Sequence, residues 1–322
     1  MKVSIIIPTK NPGAIFKKVL EIALNQITEW DYIVYVIDSG STDGTIQHLK
    51  EIRSERLVIE QINSSDFGHG RTRNYAISKC DSEFIALITQ DALPINEYWL
   101  MNLVKLIQSN EKIAGVFGRH IAYESASLFV KRDIDRIFIS INKNGNMYQI
   151  TDQLKYKNDQ NYRKIMHFFS DNNACLRKSV WEKYPYPDIE FAEDQIWAKI
   201  ILEAGYIKAY SHEAAVYHSH DFSIWEKFQR NYDESEALNK LFGYIFVPGI
   251  LAFIRLSILR SGYDLLYFII TRKKRFIDIY WLLRMPIDNI LRAVAFLLGQ
   301  NHSIIPSKIK KYISRDRGLK NK

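Results

Sequence analysis

Residues 31–52 read DYIVYVIDSGSTDGTIQHLKEI, and their order decides the fold. A β-branched and aromatic run, Ile33 to Ile37, ends in a small polar loop, Asp38 to Gly44, and an amphipathic stretch from Ile46 to Ile52 follows. The same grammar extends outward. Val3 to Ile7 precedes a helical spacing at Ile15, Val19, Ile22 and Ala23, and Leu57 to Ile62 and Phe84 to Ile88 are further strand-like runs. This alternation predicts an α/β fold, a mostly parallel central sheet with helices on its faces. Ligands of such sheets bind beyond the carboxyl ends of the strands. The residues there are small and polar: Pro8 to Asn11, Asp38 to Gly44, Asn63 to Arg73, and Thr89-Gln90-Asp91.

Further along, Ile113 to Ile121 reads as a strand and the polar stretch 142–164 as a long loop. Structure resumes from His167 to Leu176, with a helix over Ala192 to Ala204, a β-like run over Ile207 to Tyr217 and a helix near Ile224 to Leu241. The boundary of this unit is expected near residue 240, giving a first domain of 1–240 and a helical tail of 241–322.

Composition narrows the class. The chain has 322 residues, 47% hydrophobic and 25% charged, which excludes disordered and collagen-like chains. Two cysteines, Cys80 and Cys175, support neither a disulfide framework nor a thiolate zinc site, and a reducing compartment is expected. No signal-peptide cleavage pattern follows the first apolar run. From residue 251 onward 15 Lys or Arg stand against 4 Asp or Glu; with +8 for the whole chain, the first 250 residues carry a net −3. Leu241 to Ile254 is uncharged for 14 residues before Arg255, whereas a membrane span needs roughly 18 or more. Phe276, Tyr280, Trp281 and Phe296 beside the Arg272-Lys273-Lys274-Arg275 run instead predict helices lying on an anionic membrane surface. A helical packing domain with a solvated basic face is the plainer alternative.

The strand ends carry the chemistry. Asp38 to Thr45 offers acceptors to a nucleobase or ribose, or is merely a capped turn. Phe67 to Asn74 sets His69, Arg71 and Arg73 among glycines at an expected helix start, which suits a phosphate or a pyrimidine carbonyl; exposed surface arginines are the alternative. Asp91, emerging directly after an apolar strand, is a candidate anchor for Mg2+ or Mn2+, which take oxygen ligands and substrate phosphates, unless it only starts a turn. Glu193 and Asp194 open a helix; Asp194 is the candidate general base toward an acceptor hydroxyl, although an acidic first turn also suits the helix dipole. His218 and His220 share one side of an extended segment, and His218 is the candidate to complete a metal shell with Asp91.

In order, VSIIIPTKN, VIDSGSTDGT, GRTRN, TQDALP, FAEDQIWAKIILEAGY and VYHSH resemble the inverting glycosyltransferases of family two, with the GT-A fold, over roughly residues 1–240. The FGHGRTRN, TQDALP and FAEDQ variants are similar to bacterial rhamnosyltransferases of surface polysaccharide synthesis. The resemblance implies a dTDP-L-rhamnose donor and an acceptor sugar on a polyprenyl diphosphate, with work at the cytoplasmic membrane face. It implies nucleotide contacts from Pro8, Thr9, Asp38 and Arg73, a divalent metal on Asp91 and His218, and base catalysis by Asp194; Ser39, His69, Arg71, Gln90 and Asp91 complete the expected nucleotide-sugar site. Two positions depart from the pattern. Asp38-Ser39 stands where many relatives have two aspartates, and Thr89-Gln90-Asp91 where they have Asp-any-Asp. Competing classes are a transferase using a UDP-hexose, a sugar-phosphate nucleotidyltransferase, which would want a glycine-rich loop where PTKNPG stands, and a non-catalytic membrane-binding module. No nucleic-acid partner is expected.

Overall fold

A computed structural model describes residues 2–189 and 191–319, with side chains to residue 317, so the last residues of the basic tail lie outside the described part. The strands are β1 (Lys2–Thr9), β2 (Asp31–Asp38), β3 (Leu57–Gln61), β4 (Phe84–Ile88), β5 (Leu93–Pro94), β6 (Ile113–Ile121), β7 (Met147–Tyr148), β8 (Asn173–Arg177) and β9 (Ile207–Tyr217). They form one sheet in the order β3-β2-β1-β4-β8-β6-β9-β5, with β7 added against β9. From β3 to β4 every pair is parallel; β8 then enters antiparallel between β4 and β6, and β6 and β9 are parallel again.

The first strands are apolar on both faces because both are covered. Ile5, Ile7, Val34 and Val36 join one buried cluster, whereas the alternate residues Ile6, Tyr35 and Ile37 join the other. The reversed direction of β8 brings a second set of polar residues to the functional edge. Asn173 pairs with Ile88, so the residues just before Asn173 stand at the carboxyl end of β4, beside Thr89-Gln90-Asp91.

Segment 142–164 is not the loop that its polarity suggests. It holds the end of a helix from Leu128 to Lys143, then β7, then helices Gln153–Asn158 and Gln160–His167. Asp152 and Asp159 start the last two: their carboxylates accept the N–H groups of Lys155 and of Asn161 and Tyr162. Tyr148, Met166 and His167 supply the burial.

The chain divides into two compact units, 1–123 with 134–218, and 124–133 with 219 onward. The division lies at residue 218 in the chain, whereas the sequence pattern puts it near 240. The Ile224–Phe242 helix belongs to the second unit because it packs along the Ile277–Gln300 helix, around Phe228, Tyr232 and Ala295. Gly299 permits that approach; a Cβ there would sit 2.5 Å from the Ser235 Cβ. No described helix is long and apolar enough to cross a membrane.

Candidate active site

Residues at the carboxyl ends of β1, β2 and β4 are tied to one another by short polar contacts. Thr9 pairs with Asp38 across β1 and β2, and the carbonyl of Thr9 accepts both the N–H (2.9 Å) and the hydroxyl (3.1 Å) of Ser39. Asp38 is fully buried. Its carboxylate accepts the N–H groups of Gly40 (3.0 Å) and Ser41 (2.8 Å) and the Ser41 hydroxyl, so Asp38 and Ser39 shape the loop from beneath. Gly40 has φ +88°, and a Cβ there would meet the Ser64 Oγ at 2.6 Å, which excludes larger residues. Gln90 joins β4 to the loop after Pro8 and Thr9, accepting from the Lys10 N–H at 2.8 Å.

Beside this loop lies an open groove of about 800 Å³ lined by Gly40, Asn63, Ser64, Arg71, Thr72 and Tyr75. His69 begins the His69–Lys79 helix, exposed and edge-on to Phe67. Arg71 holds Asp188 with one guanidinium edge, Nε and Nη2 (2.9–3.3 Å), and both side chains are more than half exposed. Such an exposed pair is weak and readily exchanged.

Arg73, two residues on, points elsewhere. It is buried, donating to Glu193 at 2.5 Å and to the His69 carbonyl at 3.1 Å, with its Nε 3.4 Å from Asp171. Asp171 also accepts the Tyr186 hydroxyl at 2.6 Å, and its N–H lies 3.4 Å from Asp194 Oδ2. Asp194 sits in the first turn of the Glu193–Glu203 helix, entered through Ala192 at φ +59°, and its other oxygen accepts the Gln195 N–H at 2.7 Å. Thus two carboxylates share one guanidinium, and Asp194 stands beside them within reach of its charge. Burial, then repulsion from Glu193 and Asp171, raises the Asp194 carboxyl well above the usual carboxylate range, against the pull of Arg73. Burial likewise pushes Asp171 up to about 6, opposed by Arg73 and reinforced by Glu193. Replacing Arg73 with Ala strands these carboxylates and is expected to cost about 3–5 kcal/mol of unfolding free energy in urea titration; a loss below about 1 kcal/mol would show that the guanidinium does not hold them.

The neighbouring residue closes the chain of contacts. Asn172 Nδ2 lies 3.2 Å from His218 Nε2, and His218 Nδ1 lies 3.5 Å from Asp91 Oδ1. Asp91, His218, Asp194 and Arg73 therefore meet around residues 171–172 at one edge of the sheet. His218 continues the β6–β9 ladder through its N–H to the Ile121 carbonyl (2.8 Å); His220 lies past the division between the units. A carboxylate oxygen and an imidazole nitrogen this close suit Mn2+ or Mg2+, the imidazole favouring Mn2+.

Sequence reading missed Asp171, Asn172 and Tyr186. The available signal was Ser170-Asp171-Asn172-Asn173, polar residues immediately before the apolar Ala174-Cys175-Leu176 of β8. Only the reversal of β8 puts them at the productive edge.

The parallel half-sheet thus gathers acidic, histidine and arginine side chains at its carboxyl edge, beside an open groove. The model of glycosyl transferase family 2 matches residues 4–184, and the chain belongs to that family as a glycosyltransferase with the GT-A fold. The O-antigen chain rhamnosyltransferase RfbN of Salmonella typhimurium is 35% identical over 238 residues, 72% of this chain and 71% of its own. The O-antigen chain rhamnosyltransferase WbaN of Salmonella anatum is 31% identical, over 71% and 70%. Among solved structures, the Pyrobaculum calidifontis mannosyltransferase PcManGT in complex with GDP-Man and Mn2+ superposes with a TM-score of 0.59 at 16% identity, covering 92% of this chain and 86% of its own. S. aureus TarS in complex with UDP-GlcNAc gives 0.54 at 14%, covering 94% and 92%.

Proposed function

We propose that the protein transfers L-rhamnose from dTDP-L-rhamnose, with inversion, to a saccharide carried on a polyprenyl diphosphate, as a step of surface polysaccharide synthesis. The observation that carries the reading is the contact chain from Asp91 through His218 and Asn172 to Asp171 and Asp194, which brings the Asp91 and Asp194 carboxylates and the His218 imidazole to one sheet edge. The two rhamnosyltransferases similar to this chain over more than two thirds of its length support the donor sugar.

In this reading the loop shaped by Pro8, Thr9, Asp38 and Ser39 receives the nucleoside, and His69 and Arg71 border the groove beside it. Arg71 trades its exposed Asp188 partner for the diphosphate. Gln90 keeps the β1 and β4 loops in register, and Asp91 with His218 holds the divalent ion. When bound, that ion neutralises charge on the departing nucleoside diphosphate. Asp194 accepts the proton of the acceptor hydroxyl, and the hydroxyl oxygen attacks the anomeric carbon on the face opposite the leaving group. Arg73 acts from below, keeping Asp194 and its two acidic neighbours in place. The basic second unit holds the enzyme at the inner, anionic face of the cell membrane, where such an acceptor would be found.

The test of the donor is thermal protection by a panel of nucleotide sugars with and without Mn2+. Ligand at a hundred times its dissociation constant stabilises by about 2.7 kcal/mol, which a melting curve resolves. The largest rise in Tm is expected for dTDP-L-rhamnose with Mn2+. A larger rise with UDP-glucose would replace the donor.

A further inference from the structure

Two helical stretches of the second unit are turned inside out with respect to water. An ordinary surface helix buries its apolar stripe and exposes its charges. Along Ile250–Ile270 the buried side chains are Ser257 and Asp264, whereas Leu251 (80% exposed), Ile258, Leu266, Ile269 and Ile270 face outward. The first half of the Ile277–Gln300 helix resembles it, burying Asp278, Arg284, Asp288 and Asn289, with Met285 among them, while exposing Ile279, Leu283, Ile287 and Ile290; its second half buries Ala293 and Ala295 in the ordinary way. Most of the inward polar groups bond to one another, Asn289 Oδ1 excepted. Arg132 meets Asp264 at 2.5 Å, Asn289 donates to Asp264 at 2.7 Å, and Asp288 is shared by Lys227 (2.9 Å) and Arg284 (3.1 Å). The outer face consequently gives up little hydration when it leaves water, and its large apolar area is the kind that marks an interaction surface.

The border of this face identifies what covers it. The segment joining the two helices exposes Arg272 and Lys273, and beside them Phe276 is 92% exposed, with Tyr280 one turn on and Tyr263 also exposed. Arg275 of the same run is not available, being spent on the carbonyls of Glu124, Ser125 and Ala126 and on Asp278. Aromatic rings and cations edging an apolar face match the headgroup level of an anionic monolayer. Two copies of this chain would bring the same uncompensated cations toward each other.

We infer that this face is immersed in the acyl region of an anionic lipid monolayer, held by apolar burial, instead of resting on the headgroups by charge alone. The inference rests on the membrane reading above and deepens it. It makes a distinct demand, because adsorption by charge is undone by salt and immersion is not.

The experiment uses the full chain with Leu266→Cys carrying an environment-sensitive fluorophore; both native cysteines are buried. Vesicles of phosphatidylglycerol and phosphatidylethanolamine are compared with phosphatidylcholine at low and high salt. Immersion requires a blue-shifted emission on the anionic vesicles that persists in high salt. It also requires at least about a tenfold loss of binding in Leu251→Asp/Leu266→Asp/Ile287→Asp with unchanged circular dichroism. Binding that high salt reverses, without a spectral shift, overturns immersion and leaves the membrane reading standing. Absence of binding to any vesicle removes both. A parent dimer that the triple variant converts to monomer, again without a vesicle-dependent shift, assigns the face to a second copy and overturns the inference.

Discussion

Asp194→Asn is expected to abolish sugar transfer, by roughly a factor of a thousand, while leaving the affinity for the nucleoside diphosphate unchanged. The side chain keeps its shape and its bond from the Gln195 N–H, and loses the capacity to take a proton together with the long 3.4 Å contact from the Asp171 N–H. The same change should make the protein more stable at neutral pH. Asp171, ordinarily near 3.8 and raised to about 6, and Asp194, raised well above the usual carboxylate range by burial, bind protons more tightly in the fold than in the unfolded chain. Their contribution to stability is therefore full below about pH 4 and is lost as pH rises through the folded values. Asparagine escapes that loss. An increase in unfolding free energy at pH 7 that shrinks toward pH 4 is the expected signature in urea titration. Transfer by the parent enzyme should rise with pH through the raised value of Asp194, since only the ionised form can act as base. Retained transfer in the asparagine variant would remove Asp194 from its role.

The second large effect is expected at Asp91. In the parent protein, calorimetric titration should show thymidine diphosphate binding on the order of tenfold more tightly with Mn2+ than without; Asp91→Ala should erase that difference and leave the metal-free affinity as it was. His218→Ala should do the same, and the double variant should be no worse than either single one, because both side chains serve one ion. Equal affinity with and without Mn2+ in the parent would defeat the assignment. The chain carries only one acid in Thr89-Gln90-Asp91, so the imidazole 3.5 Å away matters more here than where two aspartates stand.

Local pattern made the first half of the sheet legible. β1 to β4 are short apolar runs separated by helical spacing, and each ends in small polar residues, so both the strands and their functional edge can be read from the chain alone. Asp91, Asp194 and His218 are legible for the same reason: each adjoins the end of a strand or opens a helix. Antiparallel β8 leaves no comparable mark. Its direction comes from long-range pairing with β4 and β6, and with it come the places of Asp171 and Asn172. Arg73 shows a related limit. Its spacing from Arg71 puts it near the same helix start, but only tertiary packing turns one guanidinium to the groove rim and buries the other among carboxylates. The inverted helices of the second unit were legible as amphipathic but not as to which face is buried, since periodicity carries no sign.

A crystal structure of the protein soaked with Mn2+ and thymidine diphosphate tests the shared cleft most directly. Density for the ion is expected at Asp91 and His218 with the diphosphate against it, the thymidine in the groove beside Gly40 and Ser64, and Asp194 facing the space the sugar would fill. A diphosphate bound away from Asp91, or a nucleotide lying across Asp194 so that no acceptor could reach it, would contradict that arrangement.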